Sequence, residues 1–191
     1  LTVVNNGLNN ESRFMVWGLI PFWTKDSFAG LRMINARAET ISWKPSFREA
    51  FKKRRCLVIA DGFYEWKGKG DIKIPMRIVL KTGEPFGFAG VWETWKSRMG
   101  TMVQSCAIIT TAANALMEPI HNRMPVILSR EAEATWLDSC RSDTGELREL
   151  LLPYAACDME AYEVSTLVNS YKNDTPVVIA RVSTNLSLIH I

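Results

Sequence analysis

The sequence predicts an α+β fold built on a curved or barrel-like, mostly antiparallel sheet with a few helices around it. Three observations predict it. Apolar and aromatic runs alternate with short turns rich in Gly and Pro, as in strands joined by hairpins. Helical periodicity is confined to a few short stretches. The regular strand–helix–strand spacing of a doubly wound parallel sheet does not occur.

The elements follow in order. "RFMVWGLIPFW", residues 13–23, reads as a strand stopped by Pro21. "TISWKPSFREAFKKRR", residues 40–55, reads as a helix around Pro45, with Trp43, Phe47 and Phe51 four apart on one buried face. "CLVIADGFYEWK" reads as strand, Asp-Gly turn or bulge, strand, and "GKGD" closes a hairpin into "IPMRIVL". "KTGEP" turns into the strand "FGFAGVWETW", and "MVQSCAIITTAA" is a long apolar strand. "SREAEATWLDSC" is an N-capped helix opened by Ser129, and "GELRELLL" is a short helix. "YEVSTLV" reads as a late strand. No repeat, low-complexity linker or domain boundary interrupts the chain, so residues 1–191 are expected to form a single domain.

A chain of 191 residues is long enough to bury a substantial core without staples. The net charge of +3 is mild and does not by itself mark a nucleic-acid binder. One stretch is strongly basic: Lys44, Arg48, Lys52, Lys53, Arg54 and Arg55 stand against the single acid Glu49. It reads as a solvated helix face or as an attractor of phosphates. Cys56, Cys106, Cys140 and Cys157 form no CxxC pair and lie at no zinc-finger spacing to a histidine, so neither a metal site nor a cofactor is expected. Cys56 and Cys106 sit in apolar strands, where a free thiol behaves as a small buried hydrophobe. With no signal peptide and no apolar run near 18 residues, the chain is expected in a reducing, cytoplasmic compartment, away from membranes.

Four places could carry chemistry. In "INARAET", residues 34–40, strand alternation puts Asn35, Arg37 and Glu39 on one face and Ile34, Ala36 and Ala38 on the other. That face is either a solvated one or a row of ligand-holding groups. His121, between Pro119 and Pro125, lies in a rigid loop; it is a plain surface residue or an imidazole fixed for acid–base work. The second histidine, His190, is near the chain end and is assigned no role. Glu65 in "GFYEW" is an exposed strand carboxylate paired with a lysine, or one desolvated by aromatic neighbours and so suited to proton transfer. Trp17, beside Gly18 and Pro21, is a core residue or a base-stacking platform.

Taken together and in order, "WGLIPFW", "INARAET", "RRCLVIADGFYEWK", "IITTAAN", "PIHNRMPVIL" and "VSTLVNSYKNDTP" resemble the SRAP family, the SOS-response-associated peptidase-like proteins that process abasic sites in DNA. The resemblance runs from about residue 15 to about residue 178. It implies a single α+β domain with a branched, partly barrel-like antiparallel sheet and peripheral helices. It implies single-stranded DNA containing abasic sites as the partner, with no obligate protein partner and no cofactor. In a bacterium it implies association with the nucleoid. The implied reaction joins the α-amine and thiol of an N-terminal cysteine to the aldehyde of the opened abasic sugar, giving a thiazolidine crosslink. Glu65 and His121 match the family's catalytic carboxylate and imidazole, and Asn35 the amide that positions the cysteine. Arg37, Thr110 and Arg123 match groups near the DNA backbone, and Trp17 an aromatic beside the lesion. Glu39 is expected to support Arg37.

The chain departs from the family pattern at its start. The family opens Cys-Gly-Arg at the mature N-terminus, whereas Leu1-Thr2-Val3-Val4 stand first here, so the nucleophile is expected to lie outside this sequence. None of the four internal cysteines can replace it, because ring closure needs amine and thiol on one terminal residue. Two other readings remain. One is a single-stranded nucleic-acid-binding module without chemistry. The other is a cysteine peptidase, either acting in trans through Cys106 and His121 or limited to removing its own initiator Met.

Overall fold

The computed structural model describes residues 1–25, 32–70 and 72–182. The architecture is α+β. Strands β1 (Thr2–Asn5), β2 (Asn10–Arg13), β3 (Val16–Trp17), β4 (Asn35–Arg37), β5 (Arg55–Ala60), β8 (Phe86–Lys96), β9 (Met102–Ala112) and β10 (Arg123–Pro125) form one large sheet. Strands β6 (Phe63–Lys69), β7 (Ile72–Leu80) and β11 (Met159–Glu163) form a second, antiparallel one. The helices are α1 (Arg48–Lys53), α2 (Arg130–Leu137) and α3 (Thr144–Glu149).

The large sheet branches at β9. Its N-terminal part pairs with β8 from Lys96↔Met102 to Gly90↔Ile108. Beyond that the two strands part, and the chain after Arg123 enters between them. The Val126 N–H donates to Ile109 O and the Ala89 N–H to Val126 O, each at 2.9 Å. Along the other edge of β9 run β3 and β4, both parallel to it. The branched, mostly antiparallel sheet is as expected; it curves without closing into a barrel.

Several local readings change. The strand expected over 13–23 is two pieces, because Arg13 ends the β1–β2 hairpin while Val16 and Trp17 cross to β9. Asp61-Gly62 looks like a hairpin turn but carries the chain from one sheet to the other: β5 pairs with β1 and β8, β6 with β7. Gly62 suits that crossing, since a Cβ there would stand 2.9 Å from Ile78 O. The β6–β7 hairpin forms as expected, with Gly70 at φ 60°. Ser129 caps α2, its side chain accepting from the Ala132 N–H. The last strand ends at Glu163, and "TLVN" is a short 3-10 turn rather than strand.

The helix expected over 40–55 is only α1, preceded by turns. Phe47 and Phe51 are buried, but Trp43 is exposed, because it stands in the turns before α1 and not on a helical face. Nor is the basic run uniform. Arg55 is buried in β5 and donates to five main-chain carbonyls: Trp136 O at 2.7 Å, Phe51 O at 3.2 Å, Lys52 O at 2.6 Å, Asp138 O at 2.5 Å and Arg141 O at 2.8 Å. It thus caps the C-terminal ends of α1 and α2 together. Arg54 pairs with Glu93 at 2.6 Å. The other four basic residues of the run are exposed.

Two core clusters follow from this arrangement. One, around Leu19, Ile41, Phe51, Val91 and Trp136, takes the buried Ala36 and Ala38 of "INARAET". The other, around Ile78, Phe86, Phe88, Met117 and Met124, joins the two sheets. His190 lies outside the described residues.

Candidate functional site

A cleft of about 600 Å³ opens between the large sheet and β6. Parallel pairing builds one wall. Trp17 lies opposite Cys106, Asn35 opposite Ile108 and Arg37 opposite Thr110. With side chains alternating along each strand, this register sets Trp17, Asn35 and Arg37 in a row beside Cys106, Ile108 and Thr110. All six line the cleft. Glu65, from β6, and His121 and Arg123, from the chain entering β10, complete it. Trp17, Asn35, Arg37, Glu65, Thr110, His121 and Arg123 are therefore brought to one place, while Glu39 stands outside the lining.

The amide and guanidinium of the row are exposed, and neither Asn35 nor Arg37 makes a side-chain hydrogen bond or ion pair among the described residues. Trp17 is half exposed, with its indole N–H donated to Ile34 O at 2.9 Å, so its ring is held as a surface and not as core. Glu39 and Arg37 attract each other electrostatically, as expected, but the direct hydrogen bonds of Glu39 go elsewhere. Its carboxylate grips Arg123, with Nη1 donating to Oε1 at 2.6 Å and Nη2 to Oε2 at 3.0 Å. These bonds hold the Glu39 carboxyl below its ordinary value. Nη2 also donates to Thr110 O at 2.6 Å and reaches Thr110 Oγ1 at 3.2 Å. Nη1 makes one bond among the described residues, so its second hydrogen remains for a ligand, while the buried Nε has no partner.

Glu65 and His121 meet in the cleft, Oε1 lying 3.8 Å from Nδ1. The turn that delivers the imidazole is closed by the His121 N–H donating to Met117 O at 2.8 Å. The ring is seated on Arg123, whose N–H donates to Nδ1 at 3.2 Å and whose carbonyl oxygen stands 3.0 Å from the same atom. Burial among Phe63, Tyr64 and their neighbours pushes the Glu65 carboxyl above its ordinary value, against the opposing pull of His121 and the Trp66 N–H. Its partner is this imidazole rather than a lysine. A carboxyl that keeps its proton longer than usual, beside an imidazole in an open cleft, forms a proton-donor and proton-acceptor pair.

Cys106 lines the same cleft but is 2% exposed, and burial pushes its thiol up to about 11. It makes a poor thiolate, which counts against a peptidase built on Cys106 and His121. Cys56 is likewise buried, and Cys140 and Cys157 are exposed. Among the described residues no cluster of three or more His, Cys, Asp or Glu could hold a metal ion, and no helix is long and apolar enough to cross a membrane.

Sequence reasoning missed two features. A second hollow, lined by Glu65, Trp66, Lys73, His121 and Asn169, adjoins the pair on its other side, and Trp66 donates its indole N–H to Asn169 at 2.8 Å. Strand alternation sets Glu65 and Trp66 of β6 on two faces, but does not by itself reveal a second hollow at the pair. The other is the Glu39–Arg123 grip, which joins residues 84 apart.

Fold and site together define a single α+β unit with a carboxylate–imidazole pair in a cleft walled by an amide, two guanidiniums and an aromatic ring. The chain belongs to the SRAP family: the model for SOS response associated peptidase matches residues 1–171. The Bacillus subtilis abasic site processing protein YoqW is 53% identical over 94% of this chain and 80% of its own length. The Gallus gallus abasic site processing protein HMCES is 34% identical over 85% of this chain and 55% of its own. A crystal structure of a protein from Bacteroides thetaiotaomicron is similar with a TM-score of 0.81 at 37% identity, covering 87% of this chain and 75% of that one.

Proposed function

We propose that this protein processes abasic sites in single-stranded DNA in the cytoplasm, by forming a covalent thiazolidine crosslink through a cysteine at its mature N-terminus. The observation that carries the reading is the Glu65–His121 pair, 3.8 Å apart in the cleft that Leu1 also lines. The Leu1 carbonyl is held by the Ile59 N–H at 3.1 Å.

The chemistry follows from the residue types. An α-amine has an ordinary pKa of about 7.7–8, so a fraction is neutral and nucleophilic near neutral pH. It adds to the aldehyde carbon, and the resulting hydroxyl must leave as water for the imine to form. The raised carboxyl of Glu65 is suited to give that oxygen its proton, and His121 to take the proton the amine sheds. The cysteine thiol then adds to the imine carbon, its proton passing to nitrogen, and the five-membered ring closes. On this reading Asn35 orients the terminal residue, Arg37, Thr110 and the remaining donor of Arg123 take phosphate oxygens, and Trp17 stacks on a splayed base; that all of them line the one cleft supports it. The peptidase of the family's name fits the same pair, acting once in cis to free the cysteine from its initiator Met.

The test is a denaturing gel after incubation with abasic single-stranded DNA. Protein with a mature Cys-Gly-Arg terminus should give a band that survives denaturation without borohydride. Replacing that cysteine by serine should abolish the band while reversible DNA binding persists. A cysteine-independent band of equal yield, or none from the cysteine form, overturns the proposal.

A further inference from the structure

We propose that Glu39 is a positioning residue for His121, acting through Arg123. The inference rests on the proton-transfer role proposed above for His121. The ring of His121 has no hydrogen bond among the described residues except those to the main chain of Arg123. Both are to Nδ1, one from an N–H at 3.2 Å and one facing a carbonyl oxygen at 3.0 Å. An unprotonated Nδ1 accepts from the first, and a protonated Nδ1 donates to the second. The imidazole can therefore take up and release a proton while staying seated opposite Glu65. The orientation of the ring is only as firm as the main chain of Arg123.

That main chain is anchored by its own side chain. The guanidinium is fixed on one side to β9 through Thr110 O, at 2.6 Å, and on the other to Glu39 through two charge-assisted bonds of 2.6 and 3.0 Å. The Arg123 side chain is 23% exposed and its Nε is buried without a partner. A mostly enclosed cation with an unpaired donor stays in place only where a counter-charge holds it. Without Glu39 the fixed point is the Thr110 contact alone, and the guanidinium is free to turn toward solvent. The start of β10, and the two groups that bracket Nδ1, would then lose their anchor. The Glu39 side chain is itself 52% exposed, so its removal leaves no cavity.

The chain holds two histidines, so the ring nitrogens can be followed by 15N NMR, with a His190→Gln variant for assignment. Glu39→Ala should move the Nδ1 and Nε2 resonances of His121 toward those of free histidine. Glu39→Gln, which keeps one acceptor for Nη1, should move them less. In protein with the mature N-terminal cysteine, Glu39→Ala should lower the single-turnover crosslinking rate at saturating DNA by about 10- to 100-fold, the scale for a misplaced catalytic group. Glu39→Gln should recover part of the rate. If Glu39→Ala does not fold, Glu39→Gln against the parent carries both measurements. A His121 ring spectrum unchanged by the substitution overturns the inference whatever the rates do. Absence of any crosslink from the parent overturns the functional reading instead, and the ring spectrum still decides whether Glu39 positions His121.

Discussion

Replacing Arg37 by alanine should separate DNA binding from folding. Its guanidinium is exposed and makes no hydrogen bond or ion pair among the described residues, so nothing in the fold is lost. The change in folding stability should stay within about 0.5 kcal/mol. On the proposed function, the loss in binding should be that of one charge-assisted phosphate contact. Such bonds contribute about 1.5–3 kcal/mol, and an exposed one belongs at the lower end, which is a factor of roughly 10 in Kd. One fewer phosphate neutralised on a single strand should reduce the slope of log K against log salt by about 0.7. Across a fourfold rise in salt, that slope shrinks a roughly tenfold deficit to about fourfold. Fluorescence anisotropy of a labelled single-stranded oligonucleotide, titrated at several salt concentrations, measures both quantities. The oligonucleotide needs no abasic site, because the proposed contact is with the backbone. Affinity within twofold of the parent, together with a parallel salt line, would refute the assignment of Arg37.

The remaining expectations concern the acid, the buried arginine and the thiols. Glu65→Gln should slow crosslinking by about 10²–10⁴-fold with DNA affinity kept. Because burial raises the Glu65 carboxyl, the folded state keeps its proton to higher pH than the unfolded chain, and the stability this contributes is lost as pH rises above the ordinary value of 4.5. Glu65→Gln should therefore gain in melting temperature relative to the parent between acid and neutral pH, and a pH-independent difference refutes the shift. Arg55→Met removes a buried guanidinium that donates to five carbonyls, and urea unfolding should show a loss of about 3–5 kcal/mol; a loss below about 1 kcal/mol refutes its capping role. With a colorimetric disulfide reagent the exposed Cys140 and Cys157 should react promptly, and the buried Cys56 and Cys106 only in denaturant. A third prompt thiol among these four would contradict the burial of Cys56 or Cys106.

What was legible in the sequence was whatever is decided within about ten residues. The Ser129 cap, the β6–β7 hairpin at Gly70 and the long apolar β9 each follow from neighbouring side chains and backbone preferences. Alternation in "INARAET" gave the sidedness correctly, with Ala36 and Ala38 buried and Asn35 and Arg37 in the cleft. Alternation names a face, however, and not what stands across from it. The parallel pairing of β3 and β4 with β9 is a long-range choice, and it is this register that sets Trp17, Asn35 and Arg37 in a row. Asp61-Gly62 has the composition of a hairpin turn, and only the competing partners of β5 and β6 send it between sheets. Arg55 sits in a basic run, where composition favours solvent, yet five main-chain carbonyls converge on it only once α1 and α2 have packed together. The hydrogen-bonding partner of Glu39 has the same origin. Arg37 is two residues away in the chain, but the turn after β4 carries the Glu39 carboxylate to Arg123, 84 residues distant. The chemistry-bearing residue types could be read from the sequence, and their partnerships were set by contacts that close only when the two sheets meet.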